Sequence, residues 1–100
     1  MATETDVEVQ PLPLPPPDSL RGQYLAAALA LAEYETLADG TVYAQVLALP
    51  GVWANADTED SCRRELAEVV QGWIALGLDL GHPIPILAGV DLNPRRVAAA

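Results

Sequence analysis

Apolar residues recur along this chain in two rhythms, and the changes between them mark out the elements. Leu20, Tyr24, Ala27, Ala28 and Leu31 follow one another at helical spacing, with Leu25 and Leu29 widening the same face. Asp18 or Ser19 can accept hydrogen bonds from the free N–H groups of a first turn. The spacing therefore predicts a helix over 19–31. Alternation replaces it over 32–38, where Tyr34 and Thr36 point one way and Glu33 and Glu35 the other, as in a half-buried strand. Asp39-Gly40 is a two-residue hairpin signal. The return strand over 41–47 places Val42, Ala44 and Val46 on one face and Tyr43 and Gln45 on the other. Pro50-Gly51 breaks the chain, and 52–56 reads as a third short strand. Three strands with short links make an antiparallel meander.

The longest element follows. Asp57-Thr58 can cap it, and Glu59 and Asp60 sit in its first turn, where the helix dipole favours negative charge. Cys62, Leu66, Val69, Trp73, Leu76 and Leu80 step by alternating fours and threes, which predicts an apolar stripe on a helix over 58–80. Val70 and Ile74 extend that stripe, and Gly81 can end the helix. In the following segment Pro83 and Pro85 forbid helix, so a short edge strand or an extended segment laid on the sheet is expected. The fold class is thus α+β, in the order α-β-β-β-α-β. A proline-rich acidic arm over 1–18 precedes a domain over 19–93, and 94–100 is expected to fray.

Composition narrows the function classes. With 100 residues, 14 acidic and 5 basic side chains, the net charge is −9. The five arginines and no lysines make no compact basic patch, so direct nucleic-acid binding is not expected. An acidic small protein is suited to a basic partner, because complementary fields orient encounter. No apolar run is long enough to cross a membrane and no secretion signal opens the sequence, so a cytoplasmic location is expected. Cys62 and His82 are single, which excludes a Cys/His zinc site, and no cofactor or metal is expected. Glu33, Glu35 and Asp57 form the best carboxylate candidate for a magnesium-dependent nuclease. Solvated strand residues and a helix cap account for them more simply. Cys62 stands in the first turn of the long helix, where the dipole lowers a thiol pKa, yet it also opens the apolar stripe. Burial is therefore the expectation, and catalysis is not.

One helix on a small sheet leaves a sheet face to be polar, covered by the first helix, or used for assembly. Tyr34, Tyr43 and Trp53 can crowd onto one side, which favours a homo-oligomer. Glu33, Glu35, Tyr43, Trp53 and Asn55 can share that face or its rim and are the candidate partner-binding residues.

From Tyr34 to Pro85 the chain resembles the HicB family of bacterial antitoxins. The match runs through Tyr34-Glu35, Asp39-Gly40-Thr41-Val42-Tyr43-Ala44 and Leu49-Pro50-Gly51-Val52-Trp53-Ala54. It continues through Ala56-Asp57-Thr58, Glu59, Cys62, Arg64-Glu65-Leu66 and Trp73-Ile74, and closes on Gly81, Pro83, Ile84 and Pro85. Leu47 stands where the family commonly has proline, and Ala56 replaces a glycine. The resemblance implies a partial RNase H-like fold without RNase H catalysis. It implies a HicA-type partner, a small basic mRNA-cleaving toxin whose catalytic and RNA-binding surface the antitoxin covers. Only about fifteen residues follow Pro85, too few for the family's helix-turn-helix or ribbon-helix-helix, so operator binding is not expected. An orphan self-assembling module and an RNase H-like nuclease remain the alternatives.

Overall fold

Ser19 begins the folded body. In the computed structural model, which describes residues 14–93, its side chain accepts from the Gly22 N–H at 3.0 Å and donates to the Pro16 carbonyl at 2.6 Å. This caps helix α1, Leu20–Leu31. Gly22 is required here: a Cβ at this position would stand 2.0 Å from the Pro16 carbonyl oxygen. The segment entering α1 therefore folds back over its first turn. Most of the predicted arm, 1–13, and the predicted frayed end, 94–100, lie outside the described residues.

Strands β1 (Glu33–Thr36), β2 (Val42–Gln45) and β3 (Trp53–Ala56) form an antiparallel sheet in the order β1-β2-β3. The first hairpin differs from the two-residue turn expected. Leu37 N–H bonds the Thr41 carbonyl at 2.8 Å and Gly40 N–H bonds the Leu37 carbonyl at 2.9 Å, so Ala38, Asp39 and Gly40 all lie in the loop. Gly40 has φ 89° while Asp39 does not have positive φ, which rules out the type I′ pair. Asp39 instead accepts from the Thr41 N–H (3.0 Å) and hydroxyl (2.7 Å), and these bonds hold its carboxyl below the usual range.

That extra loop residue sets the register and so decides which side chains are buried. Tyr34 pairs with Ala44 and Thr36 with Val42, on the face carrying the buried Ala44 and Ala54. Tyr34 therefore does not join Tyr43 and Trp53, contrary to the expected crowding of the three aromatics. The link from β2 to β3 closes with a type II turn, Pro50 leading into Gly51 at φ 85°, and the Val52 N–H bonds the Leu49 carbonyl at 3.1 Å. Ala56 keeps negative φ, so the glycine of the family pattern is not needed there.

Helix α2, Glu59–Leu80, is capped by the Thr58 side chain, which accepts from the Ser61 N–H at 3.1 Å. It ends at Gly81 in the left-handed region (φ 75°), with the His82 N–H closing on the Gly77 carbonyl at 2.8 Å. It packs on β2 and β3, and α1 packs against α2. One core holds them together, with Tyr24, Leu25 and Ala28 from α1, Val42, Ala44 and Ala54 from the sheet, and Cys62, Leu66, Val70 and Ile74 from α2. Leu20 and Leu31 of α1, expected inside, are exposed.

The stripe predicted on α2 is only half buried. Cys62 and Leu66 are inside, but the core continues through Ala67, Val70, Ile74 and Gly77, leaving Leu76 60% and Leu80 56% exposed. A strict 3.5-residue repeat drifts about 20° per heptad around a straight helix. Over 22 residues it therefore rotates off the core.

The expected final strand is absent from the described residues. Pro83 and Pro85 offer no N–H, and the backbone of Ile84 between them is taken by a side chain. Asn93 accepts from its N–H at 2.7 Å and donates to its carbonyl at 2.9 Å. The Tyr24 hydroxyl donates to the Pro85 carbonyl at 2.6 Å. The segment is thus the extended alternative, stapled by Tyr24 and Asn93 with Ile84 and Leu87 buried, and the order is α-β-β-β-α with a tight Leu87–Val90 turn after it.

Candidate interaction face

Because α1 packs against α2 and joins the same core, neither helix covers the second face of the sheet. The register assembles two cross-strand rows there, Glu35–Tyr43–Asn55 and Glu33–Gln45–Trp53. All five predicted partner-binding residues, Glu33, Glu35, Tyr43, Trp53 and Asn55, therefore lie on one face. Trp53 is 54% exposed, and Glu33, Glu35 and Asn55 are also exposed.

Tyr43 and Trp53 sit diagonally across β2 and β3, with ring centroids 6.0 Å apart and planes 26° from parallel. The Tyr43 hydroxyl donates to Gln45 Oε1 at 3.3 Å. Asn55 donates to the Val42 carbonyl at 2.9 Å and the Thr41 hydroxyl at 3.1 Å, so its amide protons hold the sheet. This gives an apolar, preordered centre with two carboxylates along the β1 edge.

Two residues of this face were not among the candidates. Gln45 lies in the Trp53 row, and Leu47, 65% exposed, continues the 43–45–47 alternation past the strand end. With Tyr43, Pro50 and Trp53 they line a hollow of about 180 Å³. The alternation itself is the signal that could have found them, since each second residue returns to the same face.

The carboxylate candidate does not assemble. Glu33 and Glu35 are on β1, whereas Asp57 follows β3, with β2 between them. Two strand spacings amount to about 10 Å between the backbones, and Asp57 lies past the Asn55 row rather than opposite either glutamate. Among the described residues no three His, Cys, Asp or Glu side chains come together as a metal group.

Cys62 is fully buried, and its thiol donates to the Ala54 carbonyl at 3.6 Å. Burial pushes its pKa up, and the nearby carboxylates of Glu65 and Glu59 push the same way, against a hydrogen bond from the Ala56 backbone. In folded protein at pH 8, Cys62 should react with a thiol reagent at least about 100-fold slower than after denaturation. Equal rates measured with and without urea would contradict its burial.

The chain is thus a small α+β protein, a three-stranded sheet backed on one face by α2, with α1 packed against α2. It belongs to the UPF0150-like family, whose model matches residues 23–85, and that family is HicB-related and antitoxin-like. Among solved structures it is similar to TTHA0281 from Thermus thermophilus, with a TM-score of 0.73 and 30% identity over 79% of this chain and 99% of that one. No curated protein matches the chain. Among the described residues, no helix is long and apolar enough to cross a membrane.

Proposed function

We propose that the chain is a non-catalytic, cytoplasmic, HicB-like antitoxin that needs no cofactor. Its open sheet face would cover the RNA-binding and catalytic surface of a small basic HicA-type toxin. The observation that carries this reading is the juxtaposition on one uncovered face of the Tyr43–Trp53 stack with Glu33 and Glu35. An aromatic centre with a charged rim is the arrangement of a protein-binding surface. The acidic rim competes with RNA phosphates for the toxin's cations, and the chain's net charge of −9 adds a long-range pull toward them.

The test uses a HicA-type toxin encoded beside this chain. The complex should protect mRNA from cleavage, and its association rate should fall with rising salt. The Glu33→Gln/Glu35→Gln double variant should associate about 10-fold more slowly at low salt while keeping its fold. Binding without salt dependence, or failure of the native chain to protect the RNA, would overturn the reading.

A further inference from the structure

A second surface has different chemistry. Val69, Trp73, Leu76 and Leu80 follow one another on α2 in steps of four, three and four, the spacing of a coiled-coil seam. The core of this domain uses only the first part of that seam: Val69 and Trp73 are half-buried and pack against it, whereas Leu76 and Leu80 are more than half exposed.

Three further observations identify what fits it. First, residues 69–90 carry a single formal charge, Asp79, whereas eight of the fourteen carboxylates fall between 33 and 68. Two copies of a −9 chain repel one another, and a charge-poor surface is where they meet with the least repulsion. A basic partner would gain nothing there from charge. Second, Gly72 lies in the middle of the helix, one turn before Leu76, with nothing within 4 Å of where its Cβ would stand. Glycine weakens a helix interior, and no contact within this chain requires it. A second helix approaching closely would. Third, Trp73, Leu76, Leu80, Pro83 and Ile84 line a hollow of about 140 Å³ beside the protruding leucines. A patch holding both a hollow and projecting side chains can be self-complementary, as a two-fold interface demands.

We infer that α2 is a self-association surface, on which a second copy of this chain packs its own α2 across Gly72 and seats a leucine in the hollow. The acidic sheet face lies on another surface, so the pair can present it twice.

Sedimentation velocity on the full chain, at concentrations up to roughly 200 µM, tests this. The native chain should sediment with about twice its 10.6 kDa mass. Leu76→Glu/Leu80→Glu should sediment as a single chain with unchanged far-UV circular dichroism, and Trp53→Ala should associate as the native chain does. Gly72→Gln places a good helix former into open space, so it should raise the melting temperature of the single chain while weakening association at least tenfold. This variant carries the test by itself if the double variant does not fold. A single-chain mass for the native protein at every concentration overturns the inference. So does a Gly72→Gln variant that associates as tightly as the native chain, or loss of association in Trp53→Ala alone.

Discussion

Leu66→Ala should cost about 3–4 kcal/mol of folding stability, a loss typical of a leucine cut back in a core that cannot collapse. Leu66 is fully buried in the middle of α2, in the same core as Ala44 and Ala54. The sheet offers only methyl groups at those two positions. The larger side chains of α2 therefore do the filling at those positions. A domain of this size holds a total stability of about 4–12 kcal/mol, so the variant is brought close to unfolding. In urea, with a slope near 1 kcal/mol per molar, its midpoint should fall by about 3 M. Leu31→Ala, at an exposed position of α1, should change stability by no more than about 0.5 kcal/mol. Equal losses in the two variants would mean that the core is misplaced.

The contrast between those two leucines marks where the sequence stops being informative. Helical spacing places both on apolar faces, and the same holds for Leu66 and Leu76 on α2. Element positions were readable because caps and breakers are local: Ser19, Thr58, Gly81 and Pro50-Gly51 act within a few residues of themselves. Which side of a helix goes inside is decided by what lies across from it. On α2 the four-three rhythm suggested a single seam, and the fold buries it fully only as far as Leu66, with Val69 and Trp73 half-buried against the core. The last segment was legible as extended but not as unpaired, because its partners, Tyr24 and Asn93, are side chains far from it or beyond it in sequence.

The placement of the candidate residues was more legible than the core. Alternation along β1, β2 and β3 puts Glu33, Glu35, Tyr43, Trp53 and Asn55 at positions that can share one face. Whether they do so depends on the first turn, where one residue more or fewer reverses all of β1. A two-residue Asp39-Gly40 turn would have paired Tyr34 with Gln45, on the face of Tyr43, and turned Glu33 and Glu35 toward the helix. The three-residue loop, fixed by the bonds from Thr41 to the Asp39 carboxylate, turns them outward. The acidic rim of the proposed toxin-binding face is thus a consequence of turn geometry.

Trp53→Ala should weaken the proposed toxin complex by at least about 2 kcal/mol, a factor of roughly 30 in Kd, with little effect on folding. Its indole is more than half exposed in the free chain, so truncating it opens no cavity in the core. In a complex the same ring would be enclosed at the centre of the face, stacked on Tyr43 and held in place before the partner arrives. The loss should appear mainly as faster dissociation, because apolar contacts form after encounter. The Glu33 and Glu35 substitutions should act on association instead, through the field felt before contact. A double-mutant cycle between Tyr43→Ala and Trp53→Ala should give a coupling of about 0.5–1.5 kcal/mol, since each ring supports the other. If Trp53→Ala bound toxin as tightly as the native chain, the aromatic pair would be only a cross-strand contact of the sheet. The partner would then have to use another surface. Measured together, the two kinds of variant separate attraction at a distance from adhesion on contact, and the proposed function requires both from this one face.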